Sequence, residues 1–219
     1  MFIRKGDFNE VKIIPSILVY LLMNFGIIFV IEIIDDSFLD KNTNVVQLII
    51  DCLFILYLFF KFGVNFRKLN KLIHDFIEKI NIKEILNVVF TQILISLGTT
   101  LLILAIVCFI DLDMANSLNS SGDDIFTNTV SVFILTVITA PILEELLFRV
   151  VIFKRLSRIF DVYIGMIFSS ILFGILHVEL AVVGAIIFGI ANCILYLKYR
   201  NILIPMTVHF LNNLIVSIP

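Results

Sequence analysis

Few ionisable or amide side chains interrupt the apolar runs of this chain. They gather in its last third: Glu144, Glu145, Arg149, His177 and His209, joined by Asn192 and Asn213. A charge at the centre of a bilayer costs about 2.5–3.5 kcal/mol even on the lenient insertion scale, so such groups face the protein interior and mark function. Glu145 and Arg149 are four residues apart and can pair along one helix face. Glu144, about 100° further round, is left free for chemistry. Phe173 and His177 share a face, as do His209 and Asn213. A glutamate can act as general base toward water, and a histidine within reach can share the proton. A second histidine and an asparagine can donate hydrogen bonds to the oxyanion that forms when water attacks an amide. Neither a serine nor a cysteine is placed as a nucleophile, so activated water is the economical mechanism. A metal such as zinc, held by His177, His209 and a glutamate, is the other route. HExxH is absent and asparagine is a poor zinc ligand, so the cofactor stays open.

Helices in a membrane must carry these groups. The chain has 219 residues, 60% of them apolar, with a mean hydropathy of +1.10. Soluble domains run nearer 45–50%, and here the excess lies in blocks long enough to cross a bilayer. The expected fold is all-α: a polytopic helical membrane protein of about seven spans. The spans are Ile13–Ile34, Val45–Phe62, Ile85–Ile110, a fourth from Phe126 into Pro141 and the glutamates, Val162–His177, Leu180–Leu197 and Ile202–Ile218. A barrel would show alternating strands of half that length. Pro141 suits the first turn of a new helix, which would set both glutamates near a helix N-terminus. A turn at Phe160–Asp161 would bring Glu144 and His177 to one height, each about 16 residues away at ~1.5 Å per residue.

Charge sets the expected orientation. With the N-terminus cytoplasmic, every Lys and Arg but Lys41 falls on the cytoplasmic side, and the Asp111–Asp124 stretch reads as an outer loop. The N-terminal apolar stretch is too long for a signal-peptide core and is read as a retained span. Asn65–Lys83 is basic and amphipathic and suits the cytoplasmic interface. Cys52, Cys108 and Cys193 stand singly in apolar runs, as small buried hydrophobes with no disulfide framework. Nothing points to nucleic-acid binding. The whole reads as a single membrane domain, with residues 1–126 carrying no motif and 127–219 forming the catalytic core.

Glu144-Glu145-x-x-x-Arg149, Phe173-x-x-x-His177 and His209-x-x-x-Asn213 resemble the three ordered motifs of the CPBP intramembrane protease family, also called the CAAX amino-terminal protease or Abi family, related to type II prenyl-protein endopeptidases. The resemblance covers roughly Ala140–Asn213. It implies a helical membrane peptidase needing Glu144, His177, His209 and Asn213, with Glu145 and Arg149 supporting. It further implies a peptide or membrane-protein substrate, a bacterial plasma membrane, and a part in peptide maturation or bacteriocin self-immunity. Two rivals remain. A non-catalytic immunity or receptor-modulating protein could use the same fold to sequester a peptide. A proton-coupled transporter is disfavoured, because neither a repeat nor a pair of broken helices is present.

Overall fold

A computed structural model describes residues 13–34, 36–110, 130–177 and 182–218. Among these residues the chain is helical throughout: α1 (Ile13–Ile34), α2 (Asp36–Lys61), α3 (Phe66–Lys79), α4 (Ile82–Ile110), α5 (Val130–Ile159), α6 (Val162–Leu176), α7 (Val182–Tyr199) and α8 (Leu203–Val216). The expected outer loop Asp111–Asp124, the N-terminal basic residues and Glu179 lie outside the described residues. Among the described residues, four helical stretches are long and apolar enough to cross a membrane: Asn42–Lys61, Ile82–Leu102, Val130–Ile159 and Val182–Tyr199. Helices α6 and α8 have 15 and 14 residues. Each rises only a little over 20 Å, short of a hydrocarbon core of about 30 Å. Leu22, Leu56, Leu97, Leu101 and Phe168 lie exposed on the outer faces, an apolar exterior that suits lipid.

The amphipathic segment forms α3, capped by the Asn65 side chain, which accepts from the Lys68 N–H at 2.9 Å. None of its residues is buried, as expected of a helix lying on a surface. The Asn201 side chain, in the turn between α7 and α8, donates to the Leu72 carbonyl of α3 at 2.8 Å. Beside it, Lys198 at the end of α7 meets Glu84 at the start of α4, at 2.6 Å. The basic segment, the α7–α8 turn and the start of α4 therefore share one end of the bundle.

The core runs from Phe54, Leu58 and Val89 of the N-terminal helices through Leu146–Phe153 to Phe173, Phe188 and Val208. Every residue of Leu146–Phe153 is buried, so this stretch of α5 is apolar all round, apart from Arg149, because protein surrounds it. Cys193 is buried as expected, whereas Cys52 is exposed on α2, where surrounding lipid makes an outward thiol inexpensive.

Pro141 does not begin a new helix. The chain runs through it as one helix from Val130 to Ile159. The expected helix N-terminus beneath the glutamates is therefore absent, and their placement owes nothing to a terminal dipole. Widened π-helical turns occupy Ile134–Thr139 and Leu146–Phe153, on either side of the Ala140–Glu145 segment. Before the proline, the Ala140 N–H reaches back five residues to the Leu135 carbonyl. That extra residue in the turn relieves the clash a proline ring makes with the preceding turn. The Thr139 hydroxyl adds a bond to the Leu135 carbonyl at 3.0 Å.

Helix α5 ends at Ile159, with Phe160 as its cap. The Asp161 carboxylate then caps α6, accepting from the N–H groups of Tyr163 at 2.6 Å and Ile164 at 2.9 Å. The hairpin closes tightly at Gly165, where an added Cβ would lie 2.6 Å from the Ser157 backbone nitrogen. Gly165→Ala should therefore push α5 and α6 apart and destabilise the bundle by about 1–3 kcal/mol. Gly98→Ala meets open space and should leave the melting temperature unchanged or higher. Melting of the two variants in one detergent checks the contrast, and equal melting would refute it.

Candidate active site

The hairpin of α5 and α6 brings Glu144 and His177 together, and α8 adds His209. His177 Nε2 lies 3.6 Å from Glu144 Oε2, and His209 Nε2 lies 3.8 Å from the same oxygen. Both gaps exceed a direct hydrogen bond. Glu144 Oε2 is buried without a hydrogen-bond partner among the described residues, although the side chain as a whole keeps 24% exposure.

Glu145, one residue on, is fully buried. Its carboxylate accepts from Arg149 Nε at 2.8 Å and Nη2 at 3.3 Å. It also accepts from Asn192 Nδ2 at 3.0 Å and faces His209 Nδ1 at 3.1 Å. Arg149 is equally buried. The (i, i+4) pairing thus forms deep in the bundle, and it serves as an anchor for α7 and α8.

Tautomers follow from these partners. His177 Nδ1 lies 2.8 Å from the Phe173 carbonyl, which can only accept, so Nδ1 carries the hydrogen. His209 Nδ1 faces the Glu145 carboxylate, and the same reasoning applies. In a neutral ring each Nε2 then presents a lone pair toward Glu144. Phe173 holds the two rings in place: its centroid is 4.3 Å from that of His177 and 5.9 Å from that of His209. The Arg149 guanidinium lies over the same ring at 5.2 Å. Phe188 meets His209 edge-on at 4.8 Å.

Asn213 has a bond of its own. Its Nδ2 donates to the Thr136 carbonyl at 2.9 Å. In the widened turn that carbonyl would look to the nitrogen of Pro141, which has no hydrogen. Asn213 therefore caps the acceptor orphaned by the proline, and its second N–H is left for the neighbouring cavity. That cavity, of about 140 Å³, is lined by residues including Gln92, Ser96, Phe188, His209 and Asn212.

Residues 126–215 match a family described as "Rce1-like: Type II CAAX prenyl endopeptidase Rce1-like". This segment is similar to the Rce1-like family. A protein named "Putative membrane peptidase YdiL", from Bacillus subtilis (strain 168), is 33% identical over 86 residues, which are 39% of this chain and 35% of that protein. The alignment thus spans about a third of its length. No solved structure matches the chain. The Rce1-like segment holds Glu144, Glu145, Arg149, His177, His209 and Asn213. Helices α1–α4 lie outside it.

Sequence reasoning left three contributors unassigned. Asn192 was visible as an amide within a span, yet nothing in its spacing tied it to Glu145. Phe188 is one apolar residue among many. Gln92 lies in a helix without a motif. A second polar cluster also escaped it: Asp51 is buried, and its Oδ1 accepts from Gln47 at 2.8 Å and Tyr20 at 3.4 Å. It ties α2 to α1.

Proposed function

We propose that this protein is an intramembrane endopeptidase that hydrolyses peptide bonds with water activated by Glu144 and His177. The observation carrying the reading is the convergence of two imidazole Nε2 atoms on the one unpartnered oxygen of Glu144, beside a cavity, within the Rce1-like segment. In this reading Glu144 takes a proton from water, and His177 shares it and passes it to the leaving amine. The second N–H of Asn213 and the Nε2 side of His209 face the oxyanion. To donate, His209 must carry hydrogens on both nitrogens, with Glu145 as its counter-charge. Glu145 and Arg149 position His209 and do not touch substrate.

The donor types, two imidazole Nε2 atoms with anchored Nδ1 atoms and a carboxylate, are those of a zinc site, but their ligand atoms do not all lie within 4.8 Å of one another, so an ion would have to draw them closer. When bound, such an ion supplies Lewis-acid activation of water.

We read the chain as crossing the bilayer seven times with the N-terminus cytoplasmic. The distribution of Lys and Arg supports this, as does the gathering of α3, Lys198 and Asn201 at one end. The setting we propose is a bacterial plasma membrane, with a membrane-associated or free peptide as substrate, in peptide maturation or bacteriocin self-immunity.

The test is protein reconstituted in liposomes and given a library of synthetic decapeptides, with new termini read by mass spectrometry. Internal cleavage is expected. Loss of cleavage in 1,10-phenanthroline, restored by zinc, assigns the metal route, and indifference assigns Glu/His activation alone. If no peptide is cut, the sequestering, non-catalytic reading replaces this one.

A further inference from the structure

Helix α4 lies outside the Rce1-like segment, yet it sends Gln92 and Ser96 into the cavity beside the histidines. Gln92 is 6% exposed, and its carboxamide has no hydrogen-bond partner among the described residues. The amide lines the cavity and is not among the buried groups sealed off without a partner, so it is open to a ligand there. The close approach of α4 to α7 sets the position of Gln92. At Gly184 an added Cβ would lie 3.2 Å from Thr99 Oγ1 and 3.6 Å from the Ser96 Cα.

The cavity chemistry is specific. Among the described residues, the lining beyond the two histidines holds no ionisable group: amides from Gln92, Asn212 and Asn213, a hydroxyl from Ser96, and rings from Phe173 and Phe188. A carboxamide offers a carbonyl and an N–H on one plane, the complement of a peptide group's N–H and C=O. A volume of about 140 Å³ takes a short stretch of extended chain, and among the described lining residues only the two histidines could meet a charge.

We propose that Gln92 binds a peptide group of the substrate next to the scissile bond, and that the substrate residue in this cavity is uncharged. The proposal rests on the hydrolase reading for its scissile bond. Binding tests it separately.

The probes are N-acetylated, C-amidated decapeptides of uncharged residues, and the same peptides with a central Lys or Glu. Their Kd is measured on Glu144→Gln, which leaves them intact, and on Glu144→Gln/Gln92→Leu. The second variant should bind the uncharged set about 10-fold more weakly, the loss of about one good hydrogen bond. The charged set should bind at least 10-fold more weakly than the uncharged set to Glu144→Gln. Gln92→Leu alone should melt close to wild type, because an amide turned to the cavity holds no helix to another. A fall in its melting temperature would mark a structural amide and overturn the proposal, as would an unchanged Kd. Cleavage by wild type with Kd indifferent to Gln92 sinks the subsite alone. Gln92-dependent binding with no cleavage sinks hydrolysis and leaves the subsite. Neither binding nor cleavage sinks both.

Discussion

Glu144→Gln should lower kcat by between about 10² and 10⁴-fold, the usual contribution of a general base, while the protein melts at or above the wild-type temperature. The two halves of this result come from one feature. Glu144 Oε2 makes no internal hydrogen bond, so an amide of the same shape loses no partner. The two imidazole Nε2 atoms at 3.6 and 3.8 Å would then face a group that cannot take a proton from water. Kinetics on a cleaved decapeptide, beside a melting curve of the same preparation, would check both. Retained turnover at normal abundance would refute the catalytic assignment and point to a binding protein. A lost melting transition would show that Glu144 holds the bundle together.

Glu145→Gln should behave in the opposite way. It keeps the volume but leaves Arg149 buried and uncompensated in a site with no exposure. Removing one partner of a buried ion pair costs about 3–5 kcal/mol. The melting temperature should fall by roughly 10 °C on the scaling of proteins this size, and α8 should loosen with it, because His209 Nδ1 rests on the same carboxylate. Glu145→Leu combined with Arg149→Met should recover part of the stability, since an apolar pair of similar volume often replaces a buried ion pair without loss. It should not recover activity, because His209 and Asn192 both lose their acceptor. Activity in the double variant would show that His209 needs no anchor. Unchanged melting in Glu145→Gln would show that water reaches Arg149.

The sequence by itself determined the elements and the register of the site. Apolar runs in a medium without water admit little but helices, and (i, i+4) spacing puts Glu145 with Arg149 and Phe173 with His177 whatever the tertiary fold. The break at Phe160–Asp161 was legible because the charges of Lys154, Arg155 and Arg158 stop a membrane helix; that Asp161 caps the next helix came from the structure. From equal distances to that break, Glu144 and His177 had to meet.

Only the tertiary structure decided what becomes of Pro141. A proline ends a helix when its orphaned carbonyl finds no donor. Here Asn213, 77 residues away, supplies one, and the helix continues. Long-range pairing of this kind leaves no periodic trace. The same holds for Asn192, whose bond to Glu145 depends on where α7 crosses α5, and for Gln92, whose exposure to the cavity depends on how closely Gly184 lets α4 approach. Spacing along a helix fixes which side chains share a face, and packing between helices decides which of those faces meet.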